Sequence, residues 1–278
     1  MSPASAFQRM MKHPLLTLPI LLGLVLGLPF TVAGQPEPLQ NAARLKAENA
    51  CEGCDLTWAD LQSARLRDAR LKGADLSGAD LRQADLQSSQ LNGAKLEGAN
   101  LHSAQLQVAE LKGAVLKDAY LQGANLTGAD LRNADLTGAD LLGANLMQAR
   151  LGAANLTRAN LQECLLVGAS FHGATLTDAR LVRTDMMGAD FTEADLRGAD
   201  LHGSNLMGAT FKFADLRNAD FKDAVFRQLY PPRHPDGKMP PIPGLEGARL
   251  DGAVWTDGNP CKQGSVGRCE REFFGIPR

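Results

Sequence analysis

The sequence predicts an all-β solenoid, a chain wound repeatedly about one apolar axis. Three observations point to it. From Leu56 to Phe226 every fifth residue is large and apolar, 35 positions without a break. The residue two places before each of these is small, Ala at 30 of the 35. Glycine recurs two places after the large residue, as at Gly73, Gly78, Gly93, Gly98 and Gly113.

Period five suits neither regular element. On a helix, five residues advance about 500°, so successive leucines would scatter around the cylinder. On a flat strand, an odd period sends alternate leucines to opposite faces. The chain must therefore turn once per repeat, which brings every leucine to the same axis, and glycine suits such tight turns. The length of one coil is also legible. Phe171, Phe191 and Phe211 are three of the six non-Leu centres, and they are spaced by 20. Cys164, Thr184 and Ser204 replace Ala at the same spacing. Such clustering is what stacking of one coil on the next selects, because a ring beside another ring leaves neither void nor clash.

The unit A-(D/N)-L-x-x, seen in Ala124-Asn125-Leu126-Thr127-Gly128, resembles that of the pentapeptide-repeat family. The resemblance implies a right-handed quadrilateral parallel β-helix with four repeats per coil. The large and the small residue both point inward. Nearly nine coils at about 4.8 Å each make a rod of roughly 40 Å. Its interior is side chain throughout, so function is expected on the outside.

Both ends need covering, because a solenoid's last coil exposes apolar surface and unpaired backbone. Residues 35–54 are expected to form an N-terminal cap, with helical spacing over Leu39–Ala47. The solenoid is expected over 55–228. In 229–278, a proline-rich insertion precedes Leu245, Leu250 and Trp255, which restore period five as a partial coil and C-terminal cap. Ahead of all this, 1–34 has the form of a signal peptide: Arg9 and Lys12, an apolar run from Leu15 to Ala33, then small residues. Cleavage would leave no stable membrane span and would place the chain in a periplasm or thylakoid lumen. Without Arg9 and Lys12, the 29 basic residues become 27 against 31 acidic ones. That balance supplies no excess of cations for a nucleic-acid partner, and none is expected.

An oxidising compartment governs the cysteines. Cys51 and Cys54 stand at the start of the coils, Cys261 and Cys269 in the tail. The two pairs are too far apart for one zinc site, so the expectation is two local disulfides pinning the caps. Cys164, at an inward position, is expected to be a buried thiol. No nucleophile or metal motif is present, and His102 and His202 stand five coils apart. The repeated Asp and Asn ahead of the leucines are expected to support turns rather than catalysis. No enzyme activity, metal or cofactor is expected. A threonine line at Thr137, Thr157 and Thr177 is too short for an ice-binding array.

One face departs from the polar norm. Met147, Val167, Met187 and Met207 should stack in one outward column with Leu165 beside them, and Leu142 and Val182 lie on the neighbouring face. Exposed apolar side chains in register suggest a docking surface for a protein partner or for self-association. The expected function is a non-catalytic binding or scaffold protein of the cell envelope. The resemblance brings one rival, a DNA-mimicking topoisomerase inhibitor, which the export segment and mixed-sign faces disfavour. The other, a carbohydrate-active β-helix enzyme, would need a cleft with paired carboxylates.

Overall fold

A computed structural model describes residues 37–226 and 244–270. The expected signal peptide, nearly all of the proline-rich insertion and the last eight residues lie outside the described residues. Helix α1 (Glu37–Glu48) comes first, with Glu37 in its first turn and Lys46 in its last, each matched to the helix dipole. Its Ala42 and Leu45 are buried in the same apolar cluster as Leu56. Asn41 Nδ2 donates to the Asp55 carbonyl at 2.9 Å and Lys46 Nζ to that of Asp60 at 3.0 Å. The helix thus lies against the first coil.

Parallel bridges then join residues twenty apart, from Ala50 with Arg70 to Asn205 with Val225. Each twenty-residue coil contains four turns, so the rod is four-sided. The ladder begins at Ala50, which puts Cys51 in the inward leucine position and Cys54 in the small-residue position. These two cysteines form a disulfide across the first turn.

One repeat shows why the pattern holds. Leu136 N–H donates to the Asn155 carbonyl of the next coil at 2.7 Å, and Gly138 N–H to that of Thr157 at 3.0 Å. Ala139 N–H closes the turn on the Leu136 carbonyl at 3.0 Å, and Asp140 N–H reaches back to Ala119 at 2.9 Å. The fifth donor, Thr137 N–H, goes to Asp135 Oδ1 at 3.0 Å. All five N–H groups are satisfied, as buried backbone requires. The last bond gives the Asp or Asn before the leucine its structural purpose.

Every turn from Gly53 to Asp223 has its third residue at positive φ, whether or not that residue is glycine. Glycine fills 16 of the 35 places; the others include Trp58 (φ 57°), Val108 (φ 52°) and Phe213 (φ 58°). An L-residue in that region costs about 1–2 kcal/mol. The ladder bonds on either side hold it there. Several of these side chains lean over a glycine of the next coil. The Trp58 ring is the clearest case: a Cβ added at Gly78 would sit 2.5 Å from it.

Inside, the leucines are fully buried. Phe171, Phe191 and Phe211 stack nearly parallel, with centroids 4.8 and 4.9 Å apart, which is the pitch of the strands themselves. The polar replacements in the neighbouring column each find a carbonyl. Cys164 Sγ reaches Leu141 O at 3.0 Å, Thr184 Oγ1 reaches Leu161 O at 2.9 Å, and Ser204 Oγ reaches Leu201 O at 2.7 Å. Burial pushes the Cys164 thiol up to about 12, so it is inert at neutral pH. Ser89 is the exception: fully buried, its hydroxyl has no partner.

At the far end Arg249 and Val254 pair in parallel with Asp215 and Asp220, then in antiparallel fashion with Val266 and Pro260. Trp255 stacks on Phe226 at 5.2 Å. A disulfide between Cys261 and Cys269 fastens this return. Among the described residues no helix is long and apolar enough to cross a membrane.

Three outcomes follow from this packing. Ser89→Ala removes a buried hydroxyl that bonds to nothing and should raise stability by about 1 kcal/mol or more, read as a higher urea midpoint. Ser204→Ala, which breaks a real hydrogen bond, should not raise it. Gly78→Ala should destabilise by about 1–2 kcal/mol, and adding Trp58→Ala should recover only the steric part, since the φ penalty stays. The third concerns acid. The guanidinium two residues on, hydrogen-bonded to each carboxylate, holds Asp80, Asp130 and Asp195 below their ordinary value. A depressed folded-state pKa gives stability that is present above the unfolded value and lost as pH falls through the folded one. The melting temperature should therefore be flat near neutrality and drop below about pH 4.

Candidate binding face

Each repeat points three side chains outward: the residue before the leucine and the two after it. Stacking by twenty sorts these into four faces. On three of them, charged residues stand at most levels, and each of these faces carries both signs. Arg82 clasps Asp80, Arg132 clasps Asp130 and Arg217 clasps Asp215, all at 2.5 Å, and Arg197 clasps Asp195 at 2.6 Å. These carboxylates serve their own turns and their own arginines, and they do not face one another across a cleft. Thr137 and Thr157 likewise donate their hydroxyls locally, to Asp135 and Asn155. Among the described residues, no group of three or more potential metal ligands gathers.

The fourth face is different. Among the described residues of seven levels, from Gln105 to Val225, its outward positions hold a single charged residue, Asp185, and the sequence adds one more, Arg227. Bridges from Asn145 to Leu165, Asp185, Asn205 and Val225 in turn fix the column. Met147, Val167, Met187 and Met207 occupy the next outward position along it. Met187 is 43% exposed, Met207 39% and Leu165 42%, while Met147 and Val167 are half-buried. Val108 and Val225, near the two ends of the same face, are 57% and 48% exposed. The corner beside the methionines is formed at three successive levels by Gly168, Gly188 and Gly208; the Gln148 side chain leans over the first, and no side chain lies over the other two.

The backbone holds these side chains in place. Asn145 Oδ1 accepts Met147 N–H at 3.1 Å, and Asn205 Oδ1 accepts Met207 N–H at 3.2 Å. Asp185 Oδ1 accepts both Met187 N–H at 3.3 Å and Asn205 Nδ2 at 2.9 Å. Each methionine is thus the first residue of a turn pinned by its own Asx side chain, and its thioether projects from a rigid base. Leu142 and Val182 stand apart, on the preceding face, with Gln162 between them. Leu142 is 40% exposed and Val182 half-buried. The structure therefore gathers five of the seven proposed apolar residues on one face and places two beyond its edge. Inspecting apolar residues alone missed the greater extent of the face. Reading charges in steps of twenty would have shown it.

The family model for pentapeptide repeats matches the chain over residues 51–87, 79–118, 114–152, 154–192 and 189–228. Among solved structures it is similar to HetL, a pentapeptide repeat protein involved in heterocyst differentiation regulation from the cyanobacterium Nostoc sp. strain PCC 7120. The two are 34% identical, with 76% of this chain and 89% of HetL covered at a TM-score of 0.38. It is also similar to a pentapeptide repeat protein of the Arabidopsis thaliana thylakoid lumen, at 32% identity over 37% of this chain and 71% of that one, TM-score 0.36. QnrB1, a plasmid-mediated fluoroquinolone resistance protein, matches at 18% identity over 64% of this chain and 92% of its own, TM-score 0.38. No curated protein matches this sequence. The five-residue pattern, the four-sided parallel coil and the matched span agree, and the chain belongs to the pentapeptide repeat family of right-handed β-helix solenoids.

Proposed function

We propose that this is an exported, non-catalytic binding or scaffold rod of the cell envelope that holds a protein on its low-charge face. The observation that carries the reading is the single charge, Asp185, among the described outward residues of seven levels, beside a line of methionines. Interface cores are depleted of charge and enriched in methionine relative to ordinary surface. An adaptable thioether on a rigid backbone gives a surface that fits a partner without reordering its own chain. Nucleic acid is a poor occupant, because the described outward residues from Gln105 to Val225 include no cation for phosphate.

Export is supported by two disulfides, one at each end of the coils, which an oxidising compartment would preserve. The apolar N-terminal stretch with its basic start supports the same reading, and a periplasm or thylakoid lumen meets both conditions. Absence of catalysis is supported by the local use of the carboxylates: the Asp and Asn side chains that a β-helix enzyme would aim at a substrate instead accept N–H groups of their own turns.

A photo-crosslinking residue at position 187, in the envelope fraction of the native host, tests this. A discrete adduct is expected, and Met187→Lys with the crosslinker moved to position 207 should lose most of it without loss of fold. A folded, exported chain that yields no adduct at either position overturns the reading.

A further inference from the structure

The low-charge face has an internal symmetry. Its seven levels centre on that of Leu165, Val167 and Gly168, which has no polar side chain at any outward position. One level towards the N-terminus stand Asn145 and Met147; one level towards the C-terminus stand Asp185 and Met187. The exposed valines of the outermost levels, Val108 and Val225, stand in different columns and are not mirror partners; Val225 mirrors Gln105.

The lone charge and its mirror position are complementary. Asp185 uses Oδ1 for both of its hydrogen bonds, which leaves Oδ2 open. Asn145 uses Oδ1 for Met147 N–H, and its Nδ2 has no partner among the described residues. A carboxylate covered by a partner must receive a donor there, or the burial costs several kcal/mol. On this face the amide that would supply one stands two levels away, across the apolar centre.

We infer that the occupant of the face is a second copy of this chain, running antiparallel about a two-fold axis through the Leu165–Val167 level. The inference rests on the reading of this face as a docking surface. An axis lying in the contact plane and perpendicular to the rod sends each outward column onto the same column of the partner and reverses the order of levels. Val167 then meets Val167, Met187 meets Met147, and Asp185 Oδ2 meets Asn145 Nδ2, twice by symmetry. Parallel, in-register pairing would instead set Asp185 level with Asp185. The contact is narrow, about 29 Å long by the strand spacing, so the dimer belongs at the small end of specific interfaces.

Sedimentation at tens of micromolar and crosslinking with a short bismaleimide test it on the exported chain with both disulfides intact; the buried Cys164 thiol serves as an unreactive background. Val167→Cys should crosslink to itself. Met207→Cys and Thr127→Cys should each fail alone and crosslink when mixed, because the axis brings 207 of one copy to 127 of the other. Asp185→Lys should weaken the dimer by about tenfold or more. Self-crosslinking of Met207→Cys as efficient as that of Val167→Cys means parallel pairing and overturns the inference. A chain that stays monomeric while position 187 captures a foreign protein sinks the second copy but leaves the docking face standing. Monomer and no adduct sinks both.

Discussion

Everything in this molecule depends on one constraint: each five-residue repeat must close a turn and still pass its remaining N–H groups to the neighbouring coil. The turn holds its third residue at positive φ, and the ladder bonds make that tolerable even for Val108 and Phe213. Once the backbone is so committed, the rest follows. The leucine and the alanine face inward because no other outlet is left for them, and three residues in five face out. Sequence freedom is therefore confined to the outside, where the only structural duty is the Asp or Asn that receives the first N–H of the turn.

That division explains what could be read from the sequence. The solenoid, the twenty-residue coil and the phenylalanine column are consequences of inward positions, whose spacing is rigid and whose chemistry is narrow. Outward positions obey no such rule. The Met187 column was visible because methionine is rare on a surface, but the breadth of the uncharged face lies in Gln105, Asn125 and Thr127, residues unremarkable in themselves. Their significance appears only when stacked. Cys54 already stands at the small position before Leu56 and Cys51 five residues before it; what spacing alone does not show is that a disulfide there takes the place of a Leu–Ala pair. The unpartnered hydroxyl of Ser89 was likewise beyond reach, since Ser204, in the same kind of position, finds a carbonyl.

The binding face and the fold support one another. A parallel ladder gives outward side chains a fixed pitch, so any pattern written at intervals of twenty becomes a straight, rigid line. Three faces set charges of both signs along that line, among them the clasped Asp–Arg pairs. The fourth, from Gln105 onward, carries only Asp185 among its described residues, with open glycine corners at Gly188 and Gly208. A surface built this way needs little ordering on contact, which favours modest interfaces that still hold register.

The antiparallel return at the C-terminal end reaches beyond the fold itself. A parallel ladder is by nature open-ended: its last coil offers the same donors and acceptors as any coil within. In this chain Leu250 N–H is taken by Ser265 O, Cys261 N–H by Ala253 O and Gly267 N–H by Ala248 O. The reversal of strand direction leaves a template that no further parallel coil can continue. Rod length is thus fixed by this antiparallel return, and a protein made of self-similar units is kept from growing into a fibre at that end.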